Sequence, residues 1–269
     1  MVGSRETDRK HMQISQNIIR TIEERSLNAL PATHTLLLDG WVLRMAGGYT
    51  RRANSVQPLD AGFMPVAEKI QVCESIYRRQ GLKVVFKLTP ASSPAELDTR
   101  LGLAGYAFEA PTSLQVLDLT SSPPAEGEPE PKPSPAGMSQ STKLEEDWLQ
   151  AFFQMNHTAA ETRSRVAQLL GMIVPETCFI EVRREGEIVG CGLGVCEAGF
   201  VGLYDIVADE RYRRQGVGRQ VVTGLLAWGR ARAAHTAYLQ VMESNPPALN
   251  LYAGLGFKEL YRYWYRVKV

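Results

Sequence analysis

The 269-residue chain contains no run approaching about eighteen consecutive apolar residues, so no stretch reads as a membrane-spanning helix. It is also short of net charge. Thirty Lys and Arg against 29 Asp and Glu leave +1, too weak a field to mark nucleic acid or an anionic membrane as partner. No aromatic–basic stripe interrupts that balance. Cysteine is scarce: Cys73, Cys178, Cys191 and Cys196 form no CxxC pair, and a chain of this length does not depend on disulfides. Reduced, packed thiols in a cytoplasmic protein are therefore expected. The four histidines share no metal-ligand spacing, so no metal is expected. Residues 1–12 lack the apolar centre of a signal peptide and read as a disordered leader.

What is present divides in two. Residues 121–142 are dense in Pro, Glu and Ser and carry only Met138 as a large apolar residue, so they read as a linker. The flanking halves, 13–120 and 143–269, are each large enough for a domain.

In the first half, Ile14, Ile18 and Ile22 at spacing four predict a helix that Pro31 stops. Strands are expected at 41–45 and 51–57 around the Gly47-Gly48 turn, then a helix over 66–80 ended by Gly81. A buried strand at 84–86, a helix at 94–103 and a strand at 107–119 complete this half. The second half opens with two short helices, marked by Leu144, Trp148, Phe152 and by Val166, Leu169, Leu170. Three strands over 178–208 follow, joined at Glu185-Gly186 and Ala198-Gly199. A helix at 217–233, a strand at 237–242, a helix at 246–254 and a strand at 257–267 end the chain. The last five elements of each half share one order, and LGLAGYAFEA at 101–110 echoes YAGLGFKELY at 252–261. The fold class expected is α/β with mixed sheets, built as two related domains.

Chemistry concentrates in LYDIVADERYRRQGVGRQVV, 203–222. A strand delivers the chain to an Arg-rich turn, and Gly216-Val217-Gly218 opens a helix. Glycine lets backbone amides approach an anion, and a helix start carries unpaired N–H groups and the positive end of the dipole. That combination makes a diphosphate cradle. Arg213, Arg214 and Arg219 would add charge-assisted contacts. Taken singly, each feature has a plainer reading: a helix-start turn, a solvated arginine pair, Asn245 as the cap of a helix beginning at Pro246, Tyr252 as a packed aromatic.

Arg213 to Gly218 (RRQGVG) matches the R/Q-x-x-G-x-G/A signature of the GNAT superfamily, and the chain resembles that family over roughly 125 residues. LQVMESNPPALNLYAGLGF, 239–257, resembles its second signature, with Asn245, Tyr252 and Gly256-Phe257 in place. GWVLRMAGGYTRRANSVQPL, 40–59, resembles the opening of tandem members of the family.

The resemblance implies an acetyl-CoA-dependent N-acetyltransferase that passes an acyl group directly to a small-molecule or peptide amine. Coenzyme A would be held by Arg213, Arg214, Gln215, Gly216, Val217, Gly218, Arg219 and Asn245, with backbone groups of Ile206 and Val207 on its pantetheine arm. Tyr252 would protonate the departing thiolate. Tyr204 stands where some relatives keep a catalytic glutamate, which leaves Asp205 and Glu243 as alternative carboxylate bases. The first half has MPVAEK before its helix instead of the signature, so it is not expected to hold coenzyme A by that route. It is expected to shape the acceptor site or a subunit contact in a homodimer, with Arg51 and Arg52 either exposed on a strand or lining the acceptor cleft. The alternative is a catalytically weak module that binds coenzyme A to regulate.

Overall fold

The computed structural model describes residues 2–120 and 137–268, with side chains from Gln16 onward. Most of the expected linker, 121–136, lies outside the described residues. Backbone contacts divide the chain into two compact units, Met1–Ser113 with Tyr261–Val269 and Leu114–Leu260. The final residues, expected to close the second half, thus belong to the first unit.

The first unit begins with α1 (Val2–Ala29), which starts well before Ile14 and takes in the stretch expected as a leader. No proline precedes Pro31, so nothing stops the helix from extending N-terminally. Arg44 terminates it at the other end, its guanidinium donating to the carbonyls of Leu27 and Leu30. The strands are β1 (His34–Leu38), β2 (Trp41–Met45), β3 (Val56–Pro58) and β4 (Val84–Leu88). β1–β2–β3 is antiparallel; β3 and β4 are parallel and meet at one register position, Val56 with Phe86. β1 lies outside the expected strands, because its HTLLL is exposed over its first four residues and shows no alternation. The strand expected over 51–57 is a 3-10 turn, Arg51–Ala53, followed by β3. Asn54 accounts for the difference: its Oδ1 accepts the N–H groups of Ala46 and Gly48, which pulls the chain into a loop.

α2 (Val66–Arg79) packs Ile70, Cys73 and Tyr77 against this sheet and ends at Gly81, in the left-handed region at φ +65°. α3 (Leu97–Leu103) and the start of β5 (Ala107–Asp118) follow. The chain's last strand, β11 (Lys258–Lys268), pairs antiparallel with β4 through Trp264–Lys268. It is fastened there by Asp98, which accepts from Trp264 Nε1 at 2.8 Å and Arg266 Nε at 2.7 Å.

In the second unit the end of β5 neighbours β10 (Thr236–Met242), and the order continues through β9 (Phe200–Ala208), β8 (Glu187–Glu197), β7 (Glu176–Arg184) and β6 (Met138–Ser141). β6 occupies the tail of the expected linker. Its pairing with β7 supplies backbone partners that its polar sequence, MSQS, does not advertise. α4 (Glu146–Met155) and α5 (Ala160–Gly171) lie between β6 and β7 in the chain, and Trp148 Nε1 donates to the Ile180 carbonyl at 2.9 Å.

α6 (Val217–Arg230) lies on β8 because that strand is nearly bare. A Cβ at Gly190, Gly192 or Gly194 would come within 2.4–3.1 Å of Val217, Val221, Leu225 or Trp228. Val221 and Leu225 are fully buried, and each such side chain contributes on the order of 1.5–3 kcal/mol. α7 (Pro246–Ala253) then leads into β11.

Candidate active site

Two irregularities of the second unit's sheet open the site. The first is where parallel strands part. β9 and β10 pair only over Phe200–Leu203 and Thr236–Leu239, although β9 continues to Ala208 and β10 to Met242. The unpaired ends leave a wedge at the carboxyl ends of parallel strands, the usual place for a ligand in such sheets. The second is a bulge. Cys191 opposes Val207 and Leu193 opposes Tyr204, so three steps along β9 answer two along β8. Asp205 takes up the extra residue at φ +50°. No residue marks this bulge, since a non-glycine residue in the left-handed region cannot be read from residue type.

The loop from β9 to α6 forms the second part of the site. Asp209 starts it, accepting the Arg211 N–H at 2.8 Å, and Arg214 turns it at φ +62°. Gly216 then caps α6 at φ +81°, ψ 0°, with no side chain to cover the helix start. Gln220 N–H donates to the Gly216 carbonyl at 2.9 Å, so the hydrogen-bonded ladder begins there. The amides of Val217, Gly218 and Arg219 precede that first bond and have no carbonyl inside the helix to meet. No acidic residue lies in the first turn. A Cβ at Gly216 would meet nothing within 4 Å, so the approach to the amides is clear.

Around this opening Gln215, Arg213, Arg214 and Arg219 are exposed. Arg213 pairs with Glu210 at 2.7 Å, and Arg219 Nη2 reaches the Gly254 carbonyl at 3.4 Å. Arg214 makes no ion pair or hydrogen bond among the described residues. The cationic loop and the bare helix start fit an anionic diphosphate.

Tyr252 sits on α7. Its ring is buried against Phe257, with 6.0 Å between ring centres, while its hydroxyl has no protein partner among the described residues. Burial pushes that phenol up to about 12, so it keeps its proton throughout the neutral range. Asn245 caps α7, its Oδ1 accepting the Ala248 N–H at 3.3 Å. Ile206 and Val207 are half-buried on the free end of β9, and Asp205 and Glu243 are half-buried at the ends of β9 and β10. Tyr204 is buried and shares a 2.8 Å hydrogen bond with the hydroxyl of Tyr238 on β10. Tyr238 was not singled out in the sequence; strand alternation put it inside, and nothing marked its hydroxyl as part of a pair.

The thiols are poorly placed for nucleophilic work. Cys178 is pushed up to about 12 by burial, and burial raises Cys191 further. Among the described residues no group of His, Cys, Asp and Glu could hold a metal, and no helix is long and apolar enough to cross a membrane.

The corresponding loop of the first unit, between β3 and α2, is closed. Asp39 accepts the N–H of Phe63 at 2.9 Å and of Met64 at 2.8 Å, and Lys69 Nζ adds an ion pair at 3.1 Å. Those two amides hold the carboxyl below the usual carboxylate range, with Lys69 assisting. Gly62 wraps so tightly that a Cβ there would lie 2.2 Å from Asp39 Oδ2. Arg51 is ion-paired with Glu109 within the same unit.

A family model described as "Probable histone acetyltransferase Rv0428c C-terminal" matches residues 16–266. The uncharacterized N-acetyltransferase YobR of Bacillus subtilis is 27% identical over 250 residues, covering 93% of this chain and 98% of that protein. Among solved structures, a GCN5-related N-acetyltransferase from Kribbella flavida superposes with a TM-score of 0.66 at 15% identity, covering 93% and 95% of the two chains. A tandem GNAT protein from the clavulanic acid biosynthesis pathway superposes with a TM-score of 0.64 at 15% identity, covering 92% and 87%. At these identities the two structures speak for a shared fold, the second of them for its tandem form.

Proposed function

This chain belongs to the Rv0428c C-terminal acetyltransferase family, an acyltransferase of the GNAT type, and from that premise we propose that it transfers the acetyl group of acetyl-CoA directly to a primary amine of a small molecule or peptide. The observation that carries this reading is the bare start of α6, where Gly216 caps the first turn without a side chain, beside an Arg214 that makes no ion pair among the described residues.

Acetyl-CoA supplies an activated acyl group; the chain's residues bind and orient it. The amides of Val217, Gly218 and Arg219 take the diphosphate, with Arg214 and Arg219 adding charge from the rim and Gln215 beside them. The backbone of Ile206 and Val207 continues along the wedge, where β9 no longer pairs with β10. A backbone N–H on this stretch of β9 is the donor that would stabilise developing negative charge. Tyr252 Oη, protonated and without a partner among the described residues, donates to the leaving group. Asn245 holds α7, and with it Tyr252, through its cap.

The acceptor amine, with an ordinary value near 10.4 for a lysine-like group, must lose a proton before it attacks. Asp205 at the bulge and Glu243 after β10 are the carboxylates nearest in the chain for that work. The engagement of Tyr204 with Tyr238 favours a second reading, a coenzyme A-binding regulatory module, because the strand position used as a base elsewhere is tied up.

Thiol release from acetyl-CoA with a panel of amines separates the two, alongside calorimetry with coenzyme A. Turnover with at least one amine supports the enzyme; tight binding with no thiol released from any amine supports the module. Tyr252→Phe is expected to lower turnover on the order of a hundredfold and leave the heat of coenzyme A binding unchanged. Equal loss of both would show that Tyr252 only packs.

A further inference from the structure

The first unit holds a cavity of about 310 Å³ that no step of acetyl transfer uses. It opens where parallel β3 and β4 end, and α1 closes its side. Its volume lies at the low end for ligand pockets, enough for a metabolite of amino-acid size. A nucleotide tail has no cradle beside it, since Asp39 already fills the loop before α2.

The wall is built from buried polar groups. Lys87 is 3% exposed and Glu23 2% exposed, and Lys87 Nζ donates to Glu23 Oε2 at 2.5 Å. Tyr261 Oη donates to the other oxygen of Glu23 at 2.5 Å, and the Tyr263 ring centre lies 4.1 Å from Lys87 Nζ. A buried ion pair seldom stabilises a fold more than apolar residues of the same size. Its place in a cavity wall therefore calls for another reason. Lys87 spends one of its three N–H groups on Glu23, which leaves donors to spare.

Gln57, 2% exposed, lines the same cavity. Its Nε2 donates to Ser55 Oγ at 2.7 Å, and its Oε1 accepts no hydrogen bond among the described residues. Gln57 lines the cavity, and this oxygen, which is not sealed from solvent, stays open to a donor. The wall thus offers a spare cationic donor and a spare neutral acceptor. Its ionised side chains cancel, Arg20 and Lys87 against Glu23 and Asp60.

We propose that this cavity binds a free amino acid as its zwitterion, the carboxylate accepting from Lys87 Nζ and the ammonium donating to Gln57 Oε1. A simple anion would satisfy Lys87 and strand the Gln57 oxygen; a simple cation would do the reverse. The neutral balance of the wall opposes both.

The test is calorimetry on the full chain without acetyl-CoA, using the twenty free amino acids and, for each binder, its N-acetyl and carboxamide derivatives. At least one amino acid is expected to bind, with both blocked forms weaker by at least about tenfold, or 1.4 kcal/mol. No heat from any amino acid at millimolar concentration overturns the proposal, and so does equal binding of the blocked forms. Two variants locate the binder: E23Q/K87Q, which keeps a neutral pair, and Ala95→Trp, which fills the cavity mouth from an exposed position. Each is expected to weaken the amino acid at least tenfold while leaving the heat of coenzyme A binding intact. Wild-type amino-acid affinity in either variant places the binder elsewhere and overturns the assignment. Should one of them fail to fold, the other decides.

Discussion

The same strand–loop–helix segment occurs twice in this chain, and the two copies treat their helix starts in opposite ways. Before α2 the loop amides of Phe63 and Met64 are spent on Asp39, with buried Lys69 balancing the carboxylate. Before α6 no carboxylate intervenes, Gly216 leaves the first turn uncovered, and arginines stand around the opening. One loop carries its own anion; the other is shaped to receive one. The lesson is that a helix start by itself decides little. What matters is whether the chain has already supplied the charge that the amides prefer.

Supplying that charge to the second copy should abolish the difference. Gly218→Asp puts a carboxylate in the first turn of α6, where the nearest obstacle to its Cβ is the flexible end of Leu251 at 3.3 Å. The helix itself should gain slightly from an acidic first turn. Coenzyme A affinity should fall at least about a hundredfold, or 2.7 kcal/mol, since a fixed negative charge would meet the diphosphate. Calorimetry beside a melting curve reads both effects. Unchanged affinity would remove the α6 start from the site.

Gly216→Val probes the same opening by conformation. At φ +81° a β-branched residue is strained, although no protein atom would clash with its Cβ. Coenzyme A should bind about tenfold more weakly, because the loop must shift to relieve the strain and the new methyl groups crowd the approach to the amides. A melting temperature lowered with no change in affinity would reduce Gly216 to a structural turn.

Emptying the first copy should do something different in kind. Asp39→Ala removes the acceptor of two amides and a partner of buried Lys69, so the melting temperature should drop by about 5 °C. Because Asp39 titrates below its ordinary value in the folded chain, its contribution is complete above that ordinary value, near 3.8. It is lost as pH falls through the lowered one. The gap between wild type and variant should therefore be constant at neutral pH and close only in strong acid. Coenzyme A binding should not change; a second equivalent of coenzyme A bound by Asp39→Ala would mean that the carboxylate had been masking a working site.

How much of this was legible in the residues differs between the two copies. α6 was plain, since Val217, Val221, Leu225 and Trp228 recur at helical spacing and Gly216-Val217-Gly218 marks the start. The resemblance put Ile206 and Val207 on the pantetheine arm, but no residue marks where β9 parts from β10. The bulge at Asp205 had no signal, because it depends on register with β8. Asp39 was passed over for a similar reason: its partners lie more than twenty residues away, and a lone aspartate before a glycine reads as a turn. Strand β11 runs where its residues place it, and from Tyr261 on it groups with the first unit. Strand propensity fixes where a strand runs, and its partner is set by contacts such as Asp98 with Trp264 and Arg266.

The smallest expected effect separates two neighbours within the open copy. Arg213 is already answered by Glu210 at 2.7 Å, both side chains well exposed, whereas Arg214 has no such partner. Removing Arg213 frees Glu210 as it deletes a cation, yet exposed pairs are worth little and the loop can rearrange. Arg214→Ala deletes a charge that nothing among the described residues has claimed. It should weaken coenzyme A by about fivefold, and Arg213→Ala by less than about twofold, with neither changing stability beyond about 0.5 kcal/mol. Both losses should shrink as salt is raised, because an exposed charge acting on a diphosphate is screened. Equal losses that ignore salt would mean that the loop's shape, and not its free charge, distinguishes it from its counterpart before α2.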